Sequence, residues 1–436
     1  MRVGFISLGC SKNLIDTEMC IGLFKKENFK IVTNTEEAEI IVINTCGFIE
    51  SAKEEAINTI LEMASFKDSG NCRYLIVMGC LVQRYKEELI EALPEVDLFL
   101  SIDEYDNLWD KVSKLIESKN NGYKLEYLDR VISTGNTTAY LKIAEGCSNH
   151  CTYCVIPQIR GKYRSRDKES ILNEAKALVN KGVKELVLIA QDTSCYGKDL
   201  YGKPCLSELI RELSEIDGLK WIRVHYLYPE GVTDELIEEF ASNEKLVKYF
   251  DIPLQHFSGP VLKKMARRTN PDQIKSLVEK IRGNVEGAVI RTSLIVGFPG
   301  ETEEDFYMLY DFLKEYKLDR VGVFTYSQEE STPAADYDNQ IEEEVKQDRK
   351  SKLEELLMEL TEIKNQEKID KTVEVLVEGK DKVLKMYYGR TYADSIDVDP
   401  KVFFKSEDEI EEGSFVKVKL TDYIDCDMIG ELVWKE

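Results

Sequence analysis

Glu145, Gly146, Cys147, Ser148, Asn149, His150, Cys151, Thr152, Tyr153 and Cys154 follow one another in the chain and place three thiols at C-x3-C-x2-C spacing. Iron-sulfur clusters are normally held by four cysteine thiolates, so three at this spacing hold three corners of a cubane and leave one iron for a ligand that is not protein. Zinc is an alternative, because His150 completes a Cys3His set. However, His150 adjoins Cys151, whereas structural zinc sites come as two separated ligand pairs. A redox-active disulfide between Cys151 and Cys154 expects a thioredoxin-like setting and leaves Cys147 without a part.

Downstream of this motif, apolar runs alternate with helical patterns. Tyr140–Ala144, Leu186–Ala190, Ile222–Tyr226, Tyr249–Ile252, Val289–Val296 and Val321–Tyr326 read as strands, each followed by a helical stretch. Six βα units predict a partial parallel barrel, a shortened relative of the eight-unit barrel, whose chemistry sits in the loops after the strands. The unusual residues fall there: the cysteine loop, Gln191 and Asp192, His225 to Pro229, Gln255 and His256, and the turn Gly297, Phe298, Pro299, Gly300 and Glu301. That turn precedes a helix starting near Thr302 and is expected to leave backbone amides free for a polar or anionic ligand group. His225 and His256 read equally well as packing residues, since neutral histidine satisfies core hydrogen bonds easily. Arg160, Lys162, Arg164 and Arg166 form a basic island that faces either a carboxylate or phosphate, or solvent.

Upstream, the first hundred residues repeat a strand, a cysteine and a helix. Val3–Leu8 precedes Gly9 and Cys10, Ile40–Ile43 precedes Cys46, and Tyr74–Met78 precedes Gly79 and Cys80. The separations, 36 and 34 residues, suit βαβ units of about 30 residues or more. Ligands of open α/β sheets bind beyond the carboxyl ends of the strands, where three such thiols converge and can hold a second cluster. A single cysteine after a strand is more often a small buried hydrophobe. Cys20, Cys72, Cys195, Cys205 and Cys426 share no such register and read as structural.

The chain has 436 residues and eleven cysteines, an odd number that speaks against a secreted disulfide framework. It opens directly into a strand pattern and has no apolar stretch of membrane-spanning length, so a cytoplasmic protein with no membrane partner is expected. A charged helix over about Glu342 to Ile369, with Leu353, Leu356, Leu357, Leu360 and Ile363 at helical spacing, leads out of the barrel. Val373–Val377, Tyr387–Tyr392, Phe415–Leu420 and Ile429–Val433 then predict a small five-stranded β-barrel. The expected fold class is therefore α/β: a parallel sheet domain at 1–117, a partial (β/α)6 barrel at 133–363 and a small β-barrel at 366–436. With 58 basic and 81 acidic residues the net charge is −23, and from Glu367 onward 18 acidic and 11 basic residues leave −7. Such a balance opposes a sequence-independent grip on phosphate backbones and suits a cationic partner.

The cysteine motif, with an aromatic residue before its last thiol, resembles the signature of the radical S-adenosylmethionine superfamily. Together with the N-terminal triad and a terminal module similar to a TRAM domain, almost the whole chain resembles the methylthiotransferase family. One branch of that family modifies adenosines of transfer RNA and another an aspartate of ribosomal protein S twelve. The stretches Ser7 to Asp16, Asn44 to Ile49, Asp251 to His256 and Ile295 to Thr302 are similar to the second branch, and Gly9-Cys10-Ser11-Lys12-Asn13 departs from the Gly-Cys-Gln-Met-Asn type of the first. The resemblance implies an enzyme with two 4Fe-4S clusters. One, on Cys147, Cys151 and Cys154, would cleave S-adenosylmethionine to a 5′-deoxyadenosyl radical; the other, on Cys10, Cys46 and Cys80, would carry a methylated sulfide that couples to the substrate radical. Contacts to S-adenosylmethionine are expected from Gly297, Pro299, Gly300, Glu301, Gln191, Asp192 and Tyr153. The implied partners are the basic ribosomal protein as substrate, a reductant protein and a sulfur donor, with nucleic acid not expected as substrate. Removal of hydrogen from an unactivated carbon requires the clusters and target to be held together away from water and oxygen.

Overall fold

The computed structural model describes residues 1–435. Five parallel strands open the chain: β1 (Arg2–Ser7), β2 (Lys30–Ile31), β3 (Ile40–Thr45), β4 (Tyr74–Gly79) and β5 (Leu98–Leu100), in the order β2-β1-β3-β4-β5. Both faces of β3 are buried, as its unbroken run Ile40-Ile41-Val42-Ile43 requires of a strand covered by helices on either side. Ile41 and Ile43 pack with helices Glu50–Ala64 and Cys80–Ala92, whereas Ile40 and Val42 pack with Ser11–Lys26 and Leu108–Leu115. In register, Ser7 lies opposite Asn44 and Thr45 opposite Gly79, so Cys10, Cys46 and Cys80 leave the sheet at three neighbouring strand ends.

The central domain contains β6 (Thr138–Lys142), then a short antiparallel hairpin of β7 (Ala144–Glu145) and β8 (Arg164–Ser165), followed by β9 (Glu185–Ile189), β10 (Trp221–Val224), β11 (Leu246–Asp251), β12 (Val289–Val296) and β13 (Arg320–Thr325). The six long strands pair in parallel and in sequential order from β6 to β13, an incomplete barrel as expected. Alternate residues divide its two surfaces. Leu186 and Leu188 of β9 join the outer helices, whereas Val187 and Ile189 meet Ile15 and Met19 of the N-terminal helix Ser11–Lys26. That helix therefore belongs to both domains.

Helix Glu343–Lys368 packs Leu353, Leu356 and Leu360 into the outer core and delivers the chain to a closed barrel of β14 (Thr372–Lys380), β15 (Tyr387–Arg390), β16 (Val402–Lys405), β17 (Phe415–Ile424) and β18 (Asp427–Lys435). The sequence pattern marks four of these strands; β16, only four residues long, is too short for its alternation to stand out. The loop after β15 enters the central barrel: Ser395 Oγ lies 2.8 Å from His225 Nε2, Tyr249 donates to Asp399 at 2.6 Å and Arg223 donates to the Tyr392 carbonyl at 2.9 Å. His225 is thus a packing residue, and burial keeps it neutral. Among the described residues no helix is long and apolar enough to cross a membrane.

Candidate active site

The N-terminal cysteines owe their placement to tight turns. Gly79 has φ +107°, and a Cβ there would lie 2.3 Å from Asn44 Oδ1; Gly9 has φ +88°, and a Cβ there would lie 2.7 Å from Cys46 Cβ. Only glycine fits both the backbone and the space, and each sits directly before a cysteine. Asn13 then staples the strand ends, donating through Nδ2 to the carbonyls of Leu8 at 3.1 Å and Thr45 at 2.9 Å, while Asn44 donates to the Asn13 carbonyl at 2.8 Å. Cys10 is exposed and Cys46 and Cys80 are buried. Burial pushes the Cys80 thiol up to about 12, with Arg160 opposing it, and raises Cys46 as well. Thiolates here need cationic charge beside them, so metal binding would displace protons from this set.

The second set lies in the loop between β7 and helix Ile156–Arg160. The Cys147 amide donates to the Gly161 carbonyl at 3.1 Å, and the Asn149 amide points at Cys147 Sγ at 3.4 Å. Thr152 anchors the loop to the segment after β11, donating from its amide to Met265 and from its hydroxyl to the Lys264 carbonyl at 2.8 Å. Burial pushes Cys154 up to about 12 and also raises Cys147. Arg267 is placed against Cys151, its Nη1 3.9 Å from the sulfur, and is held by donation to the Pro253 carbonyl and by stacking over Tyr228. Tyr228 Oη also lies 3.9 Å from Cys151 Sγ.

The sequence-predicted loop residues divide into two groups. Gln191 and Asp192 brace the cysteine loop: Gln191 donates to Glu145 at 2.9 Å, and Asp192 accepts from Asn149 at 2.9 Å and from the Cys195 thiol at 3.2 Å. Tyr153 packs against the apolar cluster of Val261, Met265, Phe298, Tyr326 and Ala334, to which the turn Gly297, Pro299, Gly300 and Glu301 contributes Phe298. The expectation of free amides in that turn is corrected here. Glu301 Oε2 accepts from the Gly297 and Phe298 amides at 2.6 and 3.0 Å, and the Gly300 amide donates to Asn339. The glutamate four residues beyond Gly297 reaches back to cap its own turn and is itself held by Arg349 at 3.0 Å. His256 is fully buried and neutral, accepting from the Ser258 amide at 2.9 Å.

One member of the N-terminal set lies against the segment that follows the second set. Cys80 packs with Val155 and Ile159, which follow Cys154 within two turns of chain. Arg160, at the end of that helix, donates to Cys80 Sγ at 3.4 Å, to Asp16 at 2.7 Å and to Asn13. Lys142 pairs with the same Asp16 at 2.6 Å and with Glu145 at 2.9 Å. Two acids and two bases thus neutralise one another in the buried joint, the condition under which such charges are tolerated. Of the basic island, Arg160 finds carboxylates, as does Arg166, which pairs with Glu174 at 2.6 Å. Sequence reasoning did not single out Lys142 or Arg267, and it reached Asn13 and Tyr228 only as members of the stretches Ser7 to Asp16 and His225 to Pro229, without these contacts.

Tested against the residues present, both sets offer free cysteine donors of the kind that an iron-sulfur cluster takes. The thiols are free, and each set is seated in a loop fixed by its own backbone. Among the described residues no three His, Cys, Asp or Glu side chains close on one ion, and His150, the fourth ligand of a zinc reading, is exposed.

Residues 2–101 match the uncharacterized protein family UPF0004, 141–313 the radical SAM superfamily and 369–433 the TRAM domain. The chain is 50% identical over 446 residues to the ribosomal protein uS12 methylthiotransferase RimO of Acetivibrio thermocellus, covering 99% of this chain and 98% of that one. Its identity to the protein of the same name from Alkaliphilus oremlandii is 51% over 434 residues, with 99% of each covered. Among solved structures, the radical S-adenosylmethionine methyltransferase TsrM of Kitasatospora setae shares the fold at TM-score 0.55 and 12% identity, over 76% of this chain and 73% of that one.

Fold, cysteine loop and relatives together define a radical S-adenosylmethionine methylthiotransferase, which brings with it a 4Fe-4S cluster and S-adenosylmethionine. Within that class the chain belongs to the RimO family.

Proposed function

We propose that this chain adds a methylthio group to the β-carbon of an aspartate of ribosomal protein uS12, the substrate named for its relatives. Cys147, Cys151 and Cys154 hold one 4Fe-4S cluster and Cys10, Cys46 and Cys80 a second. The observation that supports the two-cluster reading is the packing of Cys80 against Val155 and Ile159, which brings the end of the N-terminal sheet against the helix that follows the second thiol set. When bound, the two clusters and two S-adenosylmethionine molecules supply a carbon-centred radical and a methylated sulfur to couple with it, a reductant protein and a sulfur donor completing the stoichiometry.

The chain's own residues prepare that meeting. Gly9, Gly79 and Asn13 fix the N-terminal thiols, and Arg160 offsets negative charge at Cys80. Gln191 and Asp192 hold the radical-cluster loop in place, while Tyr153 and the capped turn of Gly297, Pro299, Gly300 and Glu301 wall the S-adenosylmethionine site. Val155 and Ile159 keep water from the joint. The net charge of −23 favours a basic ribosomal protein over bare transfer RNA. Anaerobic incubation of reconstituted protein with uS12 and with transfer RNA, read by mass spectrometry, tests the proposal. A methylthio mass gain on uS12 is expected; gain on transfer RNA alone overturns it.

A further inference from the structure

Lys12 stands two residues beyond Cys10 in the first turn of helix Ser11–Lys26, and its ammonium lies 3.1 Å from the ring centroid of Tyr226, just past the end of β10. It therefore reaches from the N-terminal domain onto the functional face of the central barrel. The side chain is only 6% exposed. Buried lysines normally have an anionic partner, yet among the described residues Lys12 makes neither an ion pair nor a hydrogen bond. The neighbouring carboxylates bond chiefly to other groups: Asp16, one turn along the same helix, is held by Lys142 and Arg160, and Asp251, which attracts Lys12 at longer range without bonding to it, accepts from the Tyr226 amide and lies 4.0 Å from Arg291.

Its platform is also unusual. Tyr226 holds φ +61°, a conformation costly for a bulky side chain, and it is kept there by donation of its amide to Asp251 at 3.0 Å, by the Thr193 amide donating to its carbonyl at 3.1 Å and by the Thr193 hydroxyl donating to the preceding His225 carbonyl at 2.6 Å. The ring stabilises the ammonium through one face and leaves its N–H donors without acceptors. Two residues along the chain from Cys10, this arrangement is built to take an anion.

We infer that Lys12 receives the side-chain carboxylate of the substrate residue, making it the specificity determinant for a carboxylate next to the carbon modified. The inference rests on the uS12 reading above. A charge-assisted bond to the carboxylate fixes the adjoining carbon; a neutral carboxamide or a nucleobase can still accept from the ammonium but forfeits the pairing of opposite charges.

The test measures anaerobic binding of recombinant uS12, and of uS12 with its target aspartate changed to asparagine, to wild-type, Lys12→Met and Lys12→Arg proteins of matched iron content. Wild type is expected to prefer the aspartate form roughly tenfold, the size of one charge-assisted bond. Lys12→Arg keeps most of that preference, and Lys12→Met binds both forms equally, at the weaker level. A purely structural role would weaken both forms alike and leave the preference intact. Retention of the preference by Lys12→Met, or by Lys12→Gln if the methionine variant does not fold, overturns the inference while leaving uS12 as substrate. A wild-type protein that methylthiolates uS12 without discriminating the two forms in binding also overturns the inference alone. Failure of wild type to modify uS12 at all removes the functional reading, and this inference with it.

Discussion

Arg160 Nη2 donates to Cys80 Sγ at 3.4 Å, so a guanidinium carried by the central barrel is a direct neighbour of a thiol in the N-terminal sheet. The same side chain pairs with Asp16 and Glu145, and it is 3% exposed. One residue thus serves the electrostatics of the N-terminal cysteine set and the joint between domains.

Removing that guanidinium leaves Asp16 and Glu145 to share Lys142 alone. Arg160→Leu is expected to destabilise the protein by about 3–5 kcal/mol, the usual cost of stripping one partner from a buried ion pair. Denaturant unfolding should show a lower midpoint at an unchanged slope. A change below about 1 kcal/mol would show that the joint does not depend on this pairing.

A second buried array joins the central and terminal barrels. Glu185 of β9 accepts from Arg223 at 2.7 Å and from Arg390 at 2.6 Å. Burial works against its ionisation, but the two guanidiniums prevail and hold it down to about 2. A carboxylate depressed in the folded state adds stability above its unfolded value near 4.5, and that contribution is lost as pH falls through about 2. Wild-type stability should therefore decline across this window. Glu185→Gln should be less stable near neutrality and show a flatter decline, as read from urea midpoints at stepped pH.

Gly79 tests the turn before Cys80. A Cβ there would lie 2.3 Å from Asn44 Oδ1 and 2.6 Å from the Thr45 carbonyl, on a backbone at φ +107°. Gly79→Ala is expected to displace Cys80 and lower the iron content after reconstitution from two clusters per chain to one, with S-adenosylmethionine cleavage retained. Iron and acid-labile sulfide analysis measures this.

Periodicity was enough to place β1, β3 and β4 and the six long strands of the central domain within a few residues, because their apolar runs stand out and are followed by helices, whereas β2 and β5, of two and three residues, are too short to show a pattern. Both cysteine sets were legible too, one from local spacing and the other from its repeat at strand ends. The loop Thr391–Asp399 was not, since its contacts with His225 and Tyr249 cross 150 or more residues. The basic island offered a carboxylate as one partner for Arg160, but the contacts of Arg160 with Cys80 and of Lys12 with Tyr226 carry no local signal, because each crosses between domains. The turn at Gly297 misled for the opposite reason: Glu301 satisfies its amides from within the motif itself.

The division of labour between the two cysteine sets is tested most directly by comparing Cys151→Ala with Cys46→Ala under reducing, anaerobic conditions, following S-adenosylmethionine cleavage and the mass of uS12 in the same samples. Cys151→Ala should abolish cleavage, and Cys46→Ala should retain cleavage without any methylthio gain. Methylthiolated uS12 from either variant would contradict the two-cluster mechanism.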